Sequence, residues 1–184
     1  MLASMAGPET ARVCGTCSLC CKVAAIKELD KPAGVWCQHA RPGQGCSIHG
    51  RHPRECETFR CGWLEMDALG EDWKPINSKF VLRLDEDLRR LIVSNDPAHP
   101  AAWKKPSFYK VIKGWARDWT VVVHVGNHST VVFPEEDLEV GAVELGDIVR
   151  QGYRGGPLLR APWVRVEPVS GGPPREYVGR YGKA

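Results

Sequence analysis

Eight cysteines lie between positions 14 and 61, and none occurs among residues 62–184. The first four form the run "CGTCSLCC", with Cys14, Cys17, Cys20 and Cys21 spaced C-x2-C-x2-C-C. Cys37, Cys46, Cys56 and Cys61 follow after gaps of 15, 8, 9 and 4 residues. Nothing else in the chain limits the fold so strongly. Three readings compete: a disulfide framework, a structural metal site, or a redox cluster.

Compartment and geometry weigh against disulfides. The opening residues, Met1 to Pro8, contain no basic residue and no apolar run long enough for a secretory signal. No stretch approaches the roughly 18 apolar residues of a membrane span. A soluble, cytoplasmic protein is expected, and thiols there are kept reduced, so clustered cysteines point to metal or catalysis. A disulfide also needs a narrow Cβ separation and torsion, and eight thiols allow about 105 pairings that sequence cannot choose among.

Metal ligation accounts better for the spacing. Two residues between cysteines let a tight turn aim both sulfurs at one ion. The spacing occurs twice in succession, and Cys20 and Cys21, as adjacent residues, are expected to face different ways and serve different sites. Eight thiols then divide into two four-cysteine shells, as used by structural zinc and by cubane iron–sulfur clusters. Thiolates select zinc, copper(I) or iron–sulfur over magnesium, calcium or manganese. Between Thr10 and Cys61 eight basic residues oppose four acidic ones, a surplus of +4. Two four-thiolate centres, each of about −2 with either zinc or an oxidised cubane, would balance it. The ferredoxin pattern, with three residues and a proline around its last cysteine, is absent.

The same segment is poor in long apolar runs and rich in Gly, Pro and His, as in "QHARPGQGCSIHGRHPREC". So little apolar surface does not offset the entropy of ordering, and small modules of this kind use staples. Metal binding to a loose chain supplies folding free energy directly. A metal-stapled module is therefore expected over 10–66, a β-rich domain over 75–169, and a Gly/Pro-rich tail over 170–184 that is irregular in part, with Tyr177 and Tyr181 able to dock it.

In the β-rich part, "FVLRL" (80–84) and "RLIVS" (90–94) flank a polar turn. "SFYKVIKGWARD" (107–118) places Phe108, Val111, Ile112 and Trp115 at helical spacing after Pro106, with Ser107 as N-cap. "WTVVVHV" and "STVVFP" enclose Gly126-Asn127-His128, a hairpin signal. "GAVELGDIVRQG" and "LLRAPWVRVEPV" add strands around the turn "YRGGP". The fold class is α+β: an irregular cysteine-rich module followed by an antiparallel sheet carrying one amphipathic helix.

"CGTCSLCC" together with "CSIHGRHPRECETFRCGW" (46–63) resembles the CxxCxxCC, or YkgJ-like, cysteine-cluster family, described as zinc- or iron-chelating. The match takes in all eight cysteines, Pro53, Phe59 and Trp63, and covers residues 14–63 only. His49 stands where that family commonly has tyrosine, and His52 where arginine usually precedes the proline. The resemblance implies metal chelation by Cys14, Cys17, Cys20, Cys21, Cys37, Cys46, Cys56 and Cys61. Some relatives attach the module to methylation enzymes.

The other polar residues have plainer readings. His39, His49 and His52 are expected to be surface or hydrogen-bonded, His52 being the best candidate for a ligand or for a partner of a liganding sulfur. His124 and His128 belong to the hairpin. Trp36, Trp63 and Trp73 either shield the cysteines or anchor the module. The acidic runs at 85–87 and 135–137 read as solvated turns, and no nucleophile elbow, phosphate loop or H-E-x-x-H is present. No catalytic residue is nominated. A net charge of +3 with interspersed signs argues against a dedicated nucleic-acid surface. The expected function is chelation of about two zinc ions in a structural role, with the β-rich part facing a protein partner. The alternative is an iron–sulfur protein in electron transfer or within a protein-modifying enzyme.

Overall fold

The computed structural model describes residues 12–144, 146–156, 159–180 and 182–183, with the side chains of 182 and 183 outside the description. The opening octapeptide and Tyr181 therefore lie outside the described residues, as do Pro157 and Leu158. The fold is α+β, with strands predominating in three sheets and few helices. No described helix is long and apolar enough to cross a membrane.

The cysteine segment is built of short pieces. α1 (Cys20–Val23) is one turn, β1 (Ala40–Arg41) and β2 (Gly45–Cys46) form a minimal hairpin, and α2 (Arg54–Thr58) and α3 (Gly62–Glu65) carry the end of the segment. α4 (Pro75–Ser78) leads into β3 (Phe80–Asp85), which pairs antiparallel with β4 (Arg90–Asn95) as the alternating sequence predicts.

From β4 the chain passes through α5 (Pro106–Trp115) into β5 (Thr120–Val125), which lies parallel to β4. The expected all-antiparallel sheet is corrected here. Residues 96–119 are far too many for a hairpin, and a helix between two apolar strands makes the crossover that parallel pairing requires. Ser107 is not the cap either. Lys105 holds the N-cap position without a side-chain bond, and Pro106 occupies the first turn, where its missing N–H costs nothing. β6 (His128–Val132) returns from β5 through the predicted turn, where Gly126 has φ +60°, and β7 (Asp137–Gly141) completes the five-stranded order β3-β4-β5-β6-β7.

A further sheet replaces the continuation expected of a single one. β8 (Ile148–Gly155) pairs along nearly its whole length with β9 (Leu159–Glu167). β10 (Arg175–Val178) and β11 (Gly182–Lys183) pair with β9 as well. β8 runs through the first residues of "YRGGP", and the Gly/Pro-rich tail contributes β10, docked by Tyr177 as expected.

Strand alternation distributes the core over two faces. Val121 and Val123 of β5 join Phe80, Leu82, Leu91, Val93, Phe108 and Ile112 on one side of the five-stranded sheet. Val122, Val131 and Val140 meet Val164 and Val166 of β9 on the other. The first cluster also contains Leu19, Val23, Cys61 and Trp63, so apolar packing runs from the cysteine segment into the sheet without a break at 63–75. Gly62 lies where an added Cβ would come 2.9 Å from Leu82 Cβ and 3.1 Å from Leu84 Cδ1, so α3 sits directly on β3.

Candidate metal centre

Two local devices set the first group of thiols. The Cys17 N–H donates to the Cys14 carbonyl at 3.0 Å, and Gly15 takes φ +56°, folding the C-x2-C stretch into a tight turn. Arg12 then brings this turn to the far end of the segment. Its guanidinium donates to the carbonyls of Trp63, Met66, Asp67 and Leu69 at 2.7, 3.1, 2.9 and 2.7 Å, and it lies over the Trp63 ring. Cys61 is thereby placed beside Cys14 and Cys17. Burial pushes the Cys61 thiol up, the N–H groups of Leu64 and Trp63 oppose this, and the charges of Cys14 and Cys17 reinforce it. Cys14, exposed at the surface, is raised by shielding of its sulfur, by Cys17 and by Cys21, against the pull of Lys74 and Arg60.

The second group is assembled by backbone bonds. Cys37 N–H donates to the Cys21 carbonyl at 3.0 Å, Ala40 N–H to the Cys37 carbonyl at 3.0 Å, and the hairpin sets Ala40 opposite Cys46. Glu55 docks α2 on the turn after α1, accepting from Lys27 N–H at 2.8 Å, while Glu55 N–H donates to Glu28 at 3.2 Å. Cys56, on α2, is pushed up to about 11 by burial and then by the charges of Cys21, Cys37 and Cys46, with Glu55 adding.

Cys61 thus has Cys14 and Cys17 as its thiol neighbours and Cys56 has Cys21, Cys37 and Cys46, while Cys21 also acts on Cys14 and on Cys20. Cys20 and Cys21 join the two. The two thiols interact with each other, so that the proton is favoured on Cys20 and the charge on Cys21. That interaction raises Cys20, together with burial and the charges of Cys21, Cys14 and Cys17. The same interaction lowers Cys21, opposed by burial and aided by Lys31. All eight thiols are free. Among the described residues, no three His, Cys, Asp or Glu side chains converge as a set that could hold an ion as they stand. The donor set itself, eight soft sulfurs within one short segment, suits zinc, copper(I) or iron–sulfur.

Compared with known proteins, the chain matches no family model, no curated protein and no solved structure. The reading of the site therefore rests on its own residues.

Around the thiols, the histidines divide. His49 and His52 meet edge to face at 4.9 Å, and His52 Nδ1 is buried without a hydrogen-bond partner, its nearest carboxylate oxygen, on Glu57, standing 4.0 Å away. His124 is structural: it bonds Ser129 Oγ at 2.9 Å, and burial, followed by the charge of Arg90, lowers it to about 4. His128 is exposed at the start of β6. Trp63 and Trp73 are buried in the core that joins segment and sheet, whereas Trp36 is 40% exposed beneath Lys22 Nζ. The acidic runs are tied down at both turns. Asp85 pairs with Arg90, Asp137 accepts from Tyr109 and Lys113, and Glu135 accepts from Tyr153 and Arg160.

Sequence reasoning missed Arg12 and Lys31, neither of which belongs to a spaced motif. The one available signal was their position, two residues before Cys14 and midway between Cys21 and Cys37, in a segment with surplus positive charge.

Proposed function

We propose that the chain is a metal-chelating protein in which Cys14, Cys17, Cys20 and Cys61 hold one zinc ion and Cys21, Cys37, Cys46 and Cys56 a second. The observation that carries this reading is eight free thiols in one short segment, with Cys61 near Cys14 and Cys17, Cys56 near Cys21, Cys37 and Cys46, and adjacent Cys20 and Cys21 between them. The resemblance of residues 14–63 to a zinc- or iron-chelating cysteine cluster points the same way. Zinc bound by four thiolates supplies cross-links, and a closed shell leaves no coordination position for a substrate.

A structural role agrees with the surroundings. Leu19, Val23, Cys61 and Trp63 contribute apolar surface to the sheet's core, while the rest of the segment is held by short turns and has little core of its own. Metal bonds would complete that folding.

The test is anaerobic purification followed by metal analysis and an absorption spectrum. Close to two zinc ions in a colourless protein is expected. A brown protein with absorption from sulfur-to-iron charge transfer would replace zinc by an iron–sulfur cluster. Less than half an equivalent of any metal, with thiols unreactive until treated with reductant, would refute chelation.

A further inference from the structure

Lys31 is 7% exposed, and among the described residues no carboxylate pairs with it. The turn that delivers it is closed at its neck, where Ile26 N–H donates to the Lys31 carbonyl at 2.9 Å and Lys31 N–H to the Ile26 carbonyl at 3.0 Å. Asp30, just before it, takes the left-handed conformation at φ 47° that aims the next side chain inward. The amine donates to the carbonyl of Lys22 at 2.9 Å and to that of Ala24, which places it at the end of α1, immediately beside Cys21. The titratable groups around it are Cys37, Cys21, Cys20 and Cys56, three of them from the proposed second thiol group, each able to supply negative charge as a metal-bound thiolate. Two neutral carbonyls do not compensate a buried ammonium, which needs negative charge close by.

We propose that Lys31 is the resident counter-ion of the second thiol group, a specificity determinant requiring that group to take a centre whose four-sulfur shell carries net negative charge. The proposal rests on the two-centre reading above. A four-thiolate zinc centre is a dianion and meets the requirement, whereas replacing two thiolates by neutral His49 and His52 would bring the centre to zero and leave the ammonium uncompensated. The first group differs: the cations that act on Cys14 are Lys74 and Arg60, and Arg60 is exposed, where solvent screens it. The two centres are therefore electrostatically unequal.

The experiment strips the full chain of metal under reducing, anaerobic conditions. It then titrates cobalt(II), followed by zinc against a chromophoric chelator, reading thiolate-to-cobalt charge-transfer absorption and both affinities. Lys31→Gln keeps amide donors for the two carbonyls and removes the charge; Lys31→Arg keeps the charge. Wild type should take two ions. Lys31→Gln should keep one affinity and weaken the other by roughly 10- to 100-fold, the usual effect of losing a partner of a metal ligand. Lys31→Arg should restore most of that loss, and Arg60→Gln should change neither affinity. Equal, wild-type affinities at both sites in Lys31→Gln would overturn the counter-ion and leave the amine as a carbonyl cap. A wild-type chain that takes up no ion would refute the two-centre reading itself.

Discussion

Leu19→Ala tests whether the cysteine segment and the sheet form one cooperative unit. Leu19 lies between Cys17 and Cys20, is 7% exposed, and belongs to the same apolar cluster as Phe80, Leu82 and Val93. Its carbonyl accepts the N–H groups of Lys22 and Val23 at 2.9 and 3.1 Å, which alanine preserves, so the substitution removes packing and little else. Truncating a buried leucine costs about 2–5 kcal/mol. The site lies at the edge of the cluster, where neighbours can close in, so the lower part of that range, about 2–3 kcal/mol, applies. For a chain of this size each kcal/mol moves the melting midpoint by roughly 2–4 °C, which gives a fall of about 4–12 °C. Thermal unfolding should be followed by far-UV circular dichroism for the strands and by reactivity toward a thiol reagent for the cysteines. Coincident transitions, both lowered, are the expected result. A circular-dichroism midpoint that stays at the wild-type value while the thiols become reactive would refute the shared unit and make residues 14–63 an independent module.

Two further outcomes follow from particular contacts. Gly62→Ala should destabilise by about 1–3 kcal/mol in chemical denaturation, because the new methyl meets Leu82 and Leu84 at the seat of α3 on β3. His124 gives a pH dependence. Its folded value, lowered to about 4 against an ordinary 6.5, favours the neutral ring, so the unfolded chain binds more protons in between. Its contribution is fully present above pH 6.5, diminishes as pH falls toward 4, and amounts to roughly 3 kcal/mol over that window. Denaturation at several pH values should show that slope flattened in His124→Gln.

What the sequence made legible was what repeats or alternates. The strands at 80–85 and 90–95, the hairpin at 120–132 and the helical spacing of Phe108 and Ile112 carry periods that burial enforces. The parallel pairing of β4 with β5 was missed because apolar runs show no direction; only the long connection containing α5 signals a crossover. The separate sheet around β9 was missed for a related reason. Inward-facing Val164 and Val166 read the same whether they extend one sheet or cover another. In the site, the C-x2-C spacing made the tight turn from Cys14 to Cys17 legible, because two intervening residues are what such a turn accommodates. Arg12 reaches residues more than 50 positions away, and Lys31 matters through burial, and neither property leaves a local pattern.

The most direct measurement is the order in which the thiols become available to an alkylating reagent. The metal-loaded chain, exposed to increasing chelator under reducing conditions, is alkylated and its intact mass and fragments are read. The account predicts protection of all eight cysteines, then a population with four modified, drawn either from Cys14, Cys17, Cys20 and Cys61 or from Cys21, Cys37, Cys46 and Cys56. Modification scattered across both groups, or eight thiols equally reactive before any chelator is added, would contradict it.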